Sequence, residues 1–291
     1  MDNSLIYSLP DECLCHVMSL TSPRDVYNFS LASTCFRSVV DSDAIWQAFL
    51  PSDYATILSR TVDPVMFTSN KDLFFKLSES HVLIDGGKMS FGLERSSAAK
   101  CYMISTSLLK IDLADAPRFY WRRISLPDSR FSHVVVRIIP SRLHIVGKIN
   151  SKSLSSKTRY GAYLVYKLIE TNGDIFFPIG RMRQQTSVTV GRHIRKNTVY
   201  LEPFYAKYTS AKDRLALTNY TLKVLDEKPE FDNNNEISAN ERDDGWIEVG
   251  LGAFYIDKDE DREVEMKLQS VEGSLLENQI IVHGIEIRPK H

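Results

Sequence analysis

Two short runs combine residue types that could bind a metal ion. In residues 257–263, DKDEDRE, the aspartates Asp257, Asp259 and Asp261 imitate the opening of a calcium-binding loop. Arg262, however, stands where the sharp turn of such a loop needs glycine, and Leu268 stands where its bidentate glutamate belongs. We therefore interpret this run as a charged turn.

The second run, CLCH at residues 13–16, places two thiols beside an imidazole. No second Cys/His pair follows at zinc-site spacing, so packing of the thiols as small apolar groups is the favoured interpretation. Nucleophile-elbow, phosphate-loop and dinucleotide motifs are absent from the sequence. A glycosidase-type pair of carboxylates stays open, although nothing singles one out. We predict no catalytic residues, no metal and no cofactor.

Bulk properties exclude several classes of partner and compartment. The 291 residues carry a formal net charge of −1, which gives no reason to expect nucleic acid or an anionic membrane as partner. Four cysteines are too few for a secreted disulfide framework, and the first residues do not resemble a signal peptide. We expect a protein of the nucleus and cytoplasm.

The first 50 residues are patterned as short helices. Pro10, followed by Asp11 and Glu12, suits a first helical turn, and Leu14, Val17 and Met18 recur at helical spacing. Ser22 and Pro23 predict a second helix, with further apolar stripes around Phe36 and Trp46. A unit of this length buries little apolar surface by itself. It is therefore either a cap on the rest of the chain or a module that needs a partner to cover its apolar face.

The order of these residues resembles the F-box, the helical module that docks onto the Skp adaptor of cullin-based ubiquitin ligases. The resemblance covers the Leu-Pro opening, the SPRD start of the second helix, the stretch around Phe36 and the closing tryptophan. It implies that Leu9, Pro10, Leu14 and Trp46 bind the adaptor. The unit is then a docking module for another protein.

The remaining chain changes period. Residues 53–80 predict two short helices in an ordered connector, and we expect it to pack on the following β-rich part through Phe67, Phe74 or Phe75. From residue 81 onward, short runs rich in β-branched and aromatic residues alternate with turns, and residues 226–244 form the clearest predicted loop. We predict an α+β multidomain chain with three parts: an F-box (1–52), a connector (53–80) and an antiparallel, jelly-roll-like β-sandwich (81–291).

This second half resembles the plant phloem lectins, the family of the chitin-binding lectin Nictaba. The motifs that carry the resemblance are GKMSFGLE, PRFYW, TRYGAYLVYKL, DGWIEVGLGAFY, EVEMKLQSVEG and IIVHGIEIRPK, in the family order. In glycan-binding members two tryptophans and two glutamates form the sugar site. Trp121 and Glu263 occupy two of these places, whereas Leu113 and Ser270 occupy the other two.

A leucine offers no flat π surface for a sugar ring, so the resemblance implies a weakened glycan site. Trp121 is otherwise a core or rim aromatic, and Glu263 a solvated carboxylate on a strand. The two resemblances together predict a non-catalytic substrate-recognition subunit of a Skp–cullin–F-box ligase. Its partners would be the Skp adaptor, through it cullin, and an unknown target protein, glycosylated or not. The alternative is a chitin- or N-glycan-binding lectin with a secondary F-box, and an enzyme acting on glycans is remote.

Overall fold

The computed structural model describes residues 9–32, 34–111, 121–138, 142–169, 183–203, 236–257, 261–271 and 279–290. Helices occupy the first part of the chain: α1 (Asp11–Ser19), α2 (Pro23–Ala32), α3 (Thr34–Val40), α4 (Asp43–Phe49), α5 (Tyr54–Leu58) and α6 (Asn70–Glu79). Strands follow: β1 (Val82–Ile84), β2 (Met89–Leu93), β3 (Lys100–Ser105), β4 (Lys110–Ile111), β5 (Trp121–Ile124), β6 (Val134–Arg137), β7 (His144–Asn150), β8 (Thr158–Ile169), β9 (Arg183–Val190), β10 (His193–Pro203), β11 (Glu236–Glu241), β12 (Ile247–Ile256), β13 (Glu263–Ser270) and β14 (Gln279–Pro289).

The N-terminal helices begin where the sequence predicts. The Ser22 hydroxyl accepts the Asp25 amide at 3.2 Å, and the Asp25 carboxylate accepts the Ser22 amide and hydroxyl at 3.3 and 2.6 Å. This reciprocal cap satisfies free amides at the start of α2. Before α1, Pro10 has φ −55° and Asp11 and Glu12 lie in the first turn, where the helix dipole favours carboxylates.

The connector is ordered and touches both neighbours. Phe74 on α6 is fully buried, and its ring lies 5.2 Å from the Trp46 ring of α4. On the other side, Arg60 makes two hydrogen bonds to Asp85 in the β1–β2 turn, at 2.8 and 2.6 Å. Phe74 thus contacts the helical unit, and Phe67 remains 42% exposed. The predicted contact with the sandwich is made by Phe75, whose ring lies 5.7 Å from the Arg95 guanidinium.

Two sheets form the β-sandwich. The first has the strand order β1-β2-β3-β14-β8-β12-β11, with β6 also pairing β14 and β5 pairing β6. The second has the order β10-β9-β13-β7-β4, and a parallel β10–β11 pair joins the two sheets. Every other pairing is antiparallel among the described strands. The predicted fold class, helices followed by an antiparallel β-sandwich, is confirmed.

One apolar core runs through all three predicted parts of the chain. Along β13, Val264, Met266 and Leu268 are fully buried while Glu263 is exposed, as the alternating pattern predicts. The same core includes residues of the N-terminal helices and α6 as well as of both sheets. The boundaries at 52/53 and 80/81 therefore stay a prediction, because packing does not stop at either of them.

One predicted loop is partly wrong. Residues 226–244 contain strand β11, whose Asn240 and Glu241 pair with Glu248 and Ile247 of β12. The run is polar, so the apolar alternation that is typical of a strand was not evident in its sequence. Residues 226–235 lie outside the described residues.

Candidate functional site

Helices α1 and α2 carry apolar side chains on their outer sides. Val17 and Leu20 are 53% and 73% exposed and lie three positions apart on or beside α1. Tyr27 and Leu31, four positions apart on α2, are 53% and 65% exposed. Residues three and four apart share a helix face. Together with exposed Leu9, these four residues are called the exposed apolar face below, and contiguous exposed apolar patches often mark protein interaction sites.

The opposite sides of the same helices are buried. Leu14 and Met18 of α1 and Val26 of α2 pack into the core, as does Trp46 of α4. The Trp46 indole N–H donates to the Val40 carbonyl at 2.7 Å, and the ring also lies 5.1 Å from the Phe75 ring. The buried indole N–H is thus matched, and the helical unit has one side packed against the rest of this chain.

The four predicted adaptor-binding residues therefore divide into two pairs. Leu9 and Pro10 are exposed at the start of α1, where a partner can reach them. Leu14 and Trp46 are only 3% and 1% exposed, so they can act on a partner only by holding the helices in place. Their contribution to adaptor binding stays a prediction.

Sequence reasoning missed the outer residues. It placed Val17 on the same stripe as Leu14 and Met18, although Val17 is exposed, and it did not select Leu20, Tyr27 or Leu31. A signal was present, since Tyr27 and Leu31 recur at helical spacing on a side of α2 distinct from that of Val26. An apolar residue on either side of a short helix looks the same in a sequence until the buried side is known.

On the sandwich, the predicted sugar-site residues lie apart. Trp121 opens β5 opposite Arg137 of β6, in the first sheet, and is half-buried. Its indole N–H is buried and has no acceptor among the described residues. Glu263 opens β13 in the second sheet, 60% exposed at its side chain, where Lys148 binds it at 2.7 Å. Leu113 lies outside the described residues.

Ser270 ends the strand that Glu263 begins. Ser270 is seven positions after Glu263, which corresponds to roughly 23 Å at the ordinary rise of a β-strand. The Ser270 hydroxyl donates to the Gln184 side-chain oxygen at 2.9 Å and accepts the Leu143 amide at 2.8 Å. The structure thus brings neither Ser270 nor Trp121 into contact with Glu263, and the carbohydrate-binding role of Trp121 and Glu263 stays a prediction.

The outer side of the first sheet holds a charge network that the sequence did not reveal. Arg242 binds Glu286 at 2.5 Å and Glu248 at 2.9 Å, and Arg288 binds Glu248 at 2.5 Å. Burial alone would raise the pKa of Glu286, but the charges of Arg242 and Arg288 hold it below its ordinary value. These four residues, the ionic cluster, come from β12, β14 and the preceding turn, so only the register of the sheet brings them together.

Two imidazoles lie near the ionic cluster and both accept hydrogen bonds from Arg130. The Arg130 backbone amide donates to His283 Nε2 at 3.1 Å, and its guanidinium donates to His81 Nδ1 at 3.0 Å. Burial, with the charge of Arg130 next, lowers the pKa of both histidines to about 4. The His283 ring also stacks on Trp246 with centroids 4.2 Å apart. These contacts join Arg130 to β14 and to the start of β1, while His283 Nδ1 is buried and has no hydrogen-bond partner among the described residues.

Metal-binding and membrane-crossing features do not emerge from the described part of the chain. No three His, Cys, Asp or Glu side chains in those ranges come together as ligands. Asp261 of the calcium-like run instead accepts hydrogen bonds from Asn150 and Lys152, at 2.6 and 3.0 Å. No helix among the described residues is long and apolar enough to cross a membrane.

Comparison with known proteins agrees with this division of the chain. Residues 6–48 match the F-box domain family, and residues 99–289 match the family Phloem protein 2. The chain is an F-box protein of the phloem protein 2 family. The F-box protein PP2-B15 of Arabidopsis thaliana is 36% identical over 97% of this chain and 96% of its own length. The F-box protein VBF of Arabidopsis thaliana is 34% identical over 97% of this chain and 99% of its own length.

Solved structures add little to this family assignment. TmCBM61 in complex with beta-1,4-galactotriose superposes with a TM-score of 0.29 and 6% identity, over 62% of this chain and 87% of its own. A likeness of that size carries no argument about fold or ligand. The function of this F-box protein is therefore inferred from its own surfaces.

Proposed function

We propose that this F-box protein is the substrate-recognition subunit of a Skp–cullin–F-box ubiquitin ligase. Its N-terminal helices bind the Skp adaptor, and through it cullin, while the β-sandwich recognises the target. Ubiquitin transfer would belong to other subunits, so the chain needs no catalytic residue of its own. The nucleus and cytoplasm are the proposed compartments. The observation that carries the proposal is the exposed apolar face on helices whose other side is already buried.

The side chains of the exposed apolar face remain exposed to solvent. Val17, Leu20, Tyr27 and Leu31 remain in water although the same helices bury Leu14, Met18 and Val26 completely or nearly so. Covering apolar surface contributes about 25 cal/mol per Å². A partner that covers these side chains therefore gains more here than on a charged surface, and Tyr27 is of the residue type that often dominates interface energies.

A receptor must also hold its target in a fixed position relative to the adaptor. The connector supports this, because Asp53 binds Lys100 of β3 at 2.8 Å and Arg60 binds Asp85. With Trp46 packed against Phe74 and Phe75, the docking helices contact the sandwich through an ordered segment. Such coupling suits an assembly in which target and adaptor lie on different parts of one chain.

The test is the affinity of the purified full-length protein for the Skp adaptor. Tyr27→Ala with Leu31→Ala, and separately Leu9→Ala with Pro10→Ala, should weaken binding by at least about 30-fold, because truncating an interface anchor typically costs about 2 kcal/mol. The matched control is Val62→Ala with Met66→Ala, two exposed apolar residues of the connector that should have no effect. Full affinity in the Tyr27/Leu31 variant, with an unchanged melting temperature, would contradict the proposal.

A further inference from the structure

A cleft of about 880 Å³ lies between the N-terminal helices and the sandwich. One wall of the cleft is lined by residues of the helical part and its end: Ser19, Thr21, Phe49, Ser52 and Asp53. The other wall comes from the β2–β3 turn, the segment before β8 and the end of the chain, and is lined by residues 97–100, 152, 154–159, 289 and 290. The cleft therefore belongs to neither part alone.

Positive charge dominates this cleft. Its lining includes five cationic residues but a single carboxylate, that of Asp53: Lys100, Lys152, Lys157, Arg159 and Lys290. Asp53 neutralises Lys100, and Asp261 binds Lys152 at 3.0 Å. Lys157, Arg159 and Lys290 are exposed and make no ion pair with any described residue. Three free cations along one wall favour an anionic ligand.

The two turns that present this wall are held in unusual backbone conformations. Ala98 and Lys157 have φ of +61° and +52°, and they are two of the three non-glycine residues with positive φ in the described chain. Such conformations are costly for residues with a Cβ, and they concentrate at functional sites. The first turn is fixed by Glu94, whose carboxylate accepts the amides and hydroxyls of Ser96 and Ser97 at 2.7 to 3.1 Å.

Hydroxyl groups stand beside the free cations. Ser155 Oγ accepts the Lys100 amide at 3.0 Å and also interacts with the Tyr160 hydroxyl, so it is held within the wall. Ser156, the next residue, is exposed on the same wall. A carboxylate has two oxygens to offer, whereas a phosphate monoester has three acceptor oxygens and a charge near −2. Three unpaired cations with the exposed Ser156 hydroxyl beside them therefore suit the phosphate better.

We propose that this cleft binds a phosphorylated segment of the target protein, with Lys157, Arg159 and Lys290 contacting the phosphate. The assignment rests on the proposed function and deepens it, since it gives target recognition a location between the docking helices and the sandwich. Ligand pockets for small apolar molecules are lined mostly by hydrophobic and aromatic side chains, and this lining is not. Recognition of phosphate by clustered cations is a recurring way to read peptides.

The experiment uses the full-length protein and an array of phosphoserine peptides. Each peptide is paired with its unphosphorylated form and with a form carrying glutamate at the same position, and the best binder is titrated by fluorescence anisotropy. Lys157→Glu with Arg159→Glu should weaken phosphopeptide binding at least tenfold, and added salt should weaken binding by the wild type. Arg195→Glu with Lys196→Glu, exposed residues of β10, is the matched control and should bind normally. The neutral pair Lys157→Gln and Arg159→Gln serves if charge reversal lowers the melting temperature.

Three results would overturn the inference: no phosphopeptide binds, the glutamate or unphosphorylated forms bind equally well, or the cleft variants bind like the wild type. Adaptor affinity, measured on the same preparations, separates this inference from the proposed function. Adaptor binding without phosphopeptide binding would refute the cleft alone. Phosphopeptide binding without adaptor binding would refute the ligase role and leave the cleft standing.

Discussion

The N-terminal helices and the β-sandwich of this F-box protein differ in the chemistry of their outer surfaces. The helices expose Leu20, Tyr27 and Leu31 to water. The outer side of the first sheet instead pairs its charges with one another in the ionic cluster, where Glu286 is bound by Arg242 and Arg288. A surface that is already satisfied gains little from a partner, whereas exposed apolar area gains by being covered. This difference supports the proposal that the adaptor docks on the helices.

The largest expected effect tests whether Trp46 supports the helices or binds the adaptor itself. Trp46→Ala removes a side chain that is 1% exposed and packs on Phe74 and Phe75, so it should lower the free energy of unfolding by about 3–5 kcal/mol. Tyr27→Ala, at an exposed position, should change it by less than about 0.5 kcal/mol. Urea denaturation of both variants provides the measurement. A Trp46→Ala protein of normal stability that fails to bind adaptor would reverse the assignment and make Trp46 a contact residue.

A smaller effect should distinguish the sandwich from the helices by pH. His81 and His283 accept hydrogen bonds from Arg130 and have pKa values of about 4, below the ordinary value near 6.5 in an unfolded chain. A lowered histidine pKa means that the unfolded state binds protons first as the pH falls. Stability should thus be complete above about pH 6.5 and decline between pH 6.5 and 4, by roughly 1 kcal/mol per histidine at pH 5.5.

The groups around these histidines set the limits of that window. Arg130 and Arg242 oppose protonation of both rings, while Glu286 favours it for His81 and Asp244 and Asp128 favour it for His283. Urea midpoints at pH 8, 6.5 and 5.5 measure the slope. In the double variant His81→Gln/His283→Gln, whose amides can still accept from Arg130, the slope should flatten. An equal slope in the double variant would show that other groups cause the acid sensitivity.

The sequence predicted the elements better than the surfaces. Caps such as Ser22 with Asp25 and the alternation along β13 are local, so composition and spacing were sufficient to place them. Strand β11 was missed because its place is set by pairing on one side with β10, which is distant along the chain, and on the other side with β12, the next strand. The ionic cluster and the basic cleft were missed for the same reason, since both depend on which strands and turns become neighbours in space.

The family resemblance also predicted a sugar site whose residues the structure does not bring together. It pointed to Trp121 and Glu263 as members of one sugar site, yet they lie in different sheets. A motif records which residues a relative uses and not where this chain places them. The glycan site is thus the least supported part of the sequence-based prediction, and it is the one that needs a direct measurement.

The smallest expected effect concerns that glycan site, where we predict weak binding or none. A stacking aromatic contributes about 0.5–1.5 kcal/mol beyond the area it buries, and Leu113 occupies the place of one such ring. A hydrogen bond to a charged group contributes about 1.5–3 kcal/mol, and at Ser270 the hydroxyl is already bound to Gln184 and Leu143. Glu263, the remaining carboxylate, is held by Lys148, and Trp121 is half-buried in the other sheet.

These losses add to a contact that is weak for any single sugar, and about 1.4 kcal/mol is a factor of ten in affinity. Titration calorimetry of the full-length protein with chitin oligomers and N-glycan cores should therefore give little or no heat. Trp121→Ala should make no difference to that result, and neither should Glu263→Gln. Tight binding that Trp121→Ala abolishes would contradict this prediction. It would also move target recognition from a protein segment to a glycan.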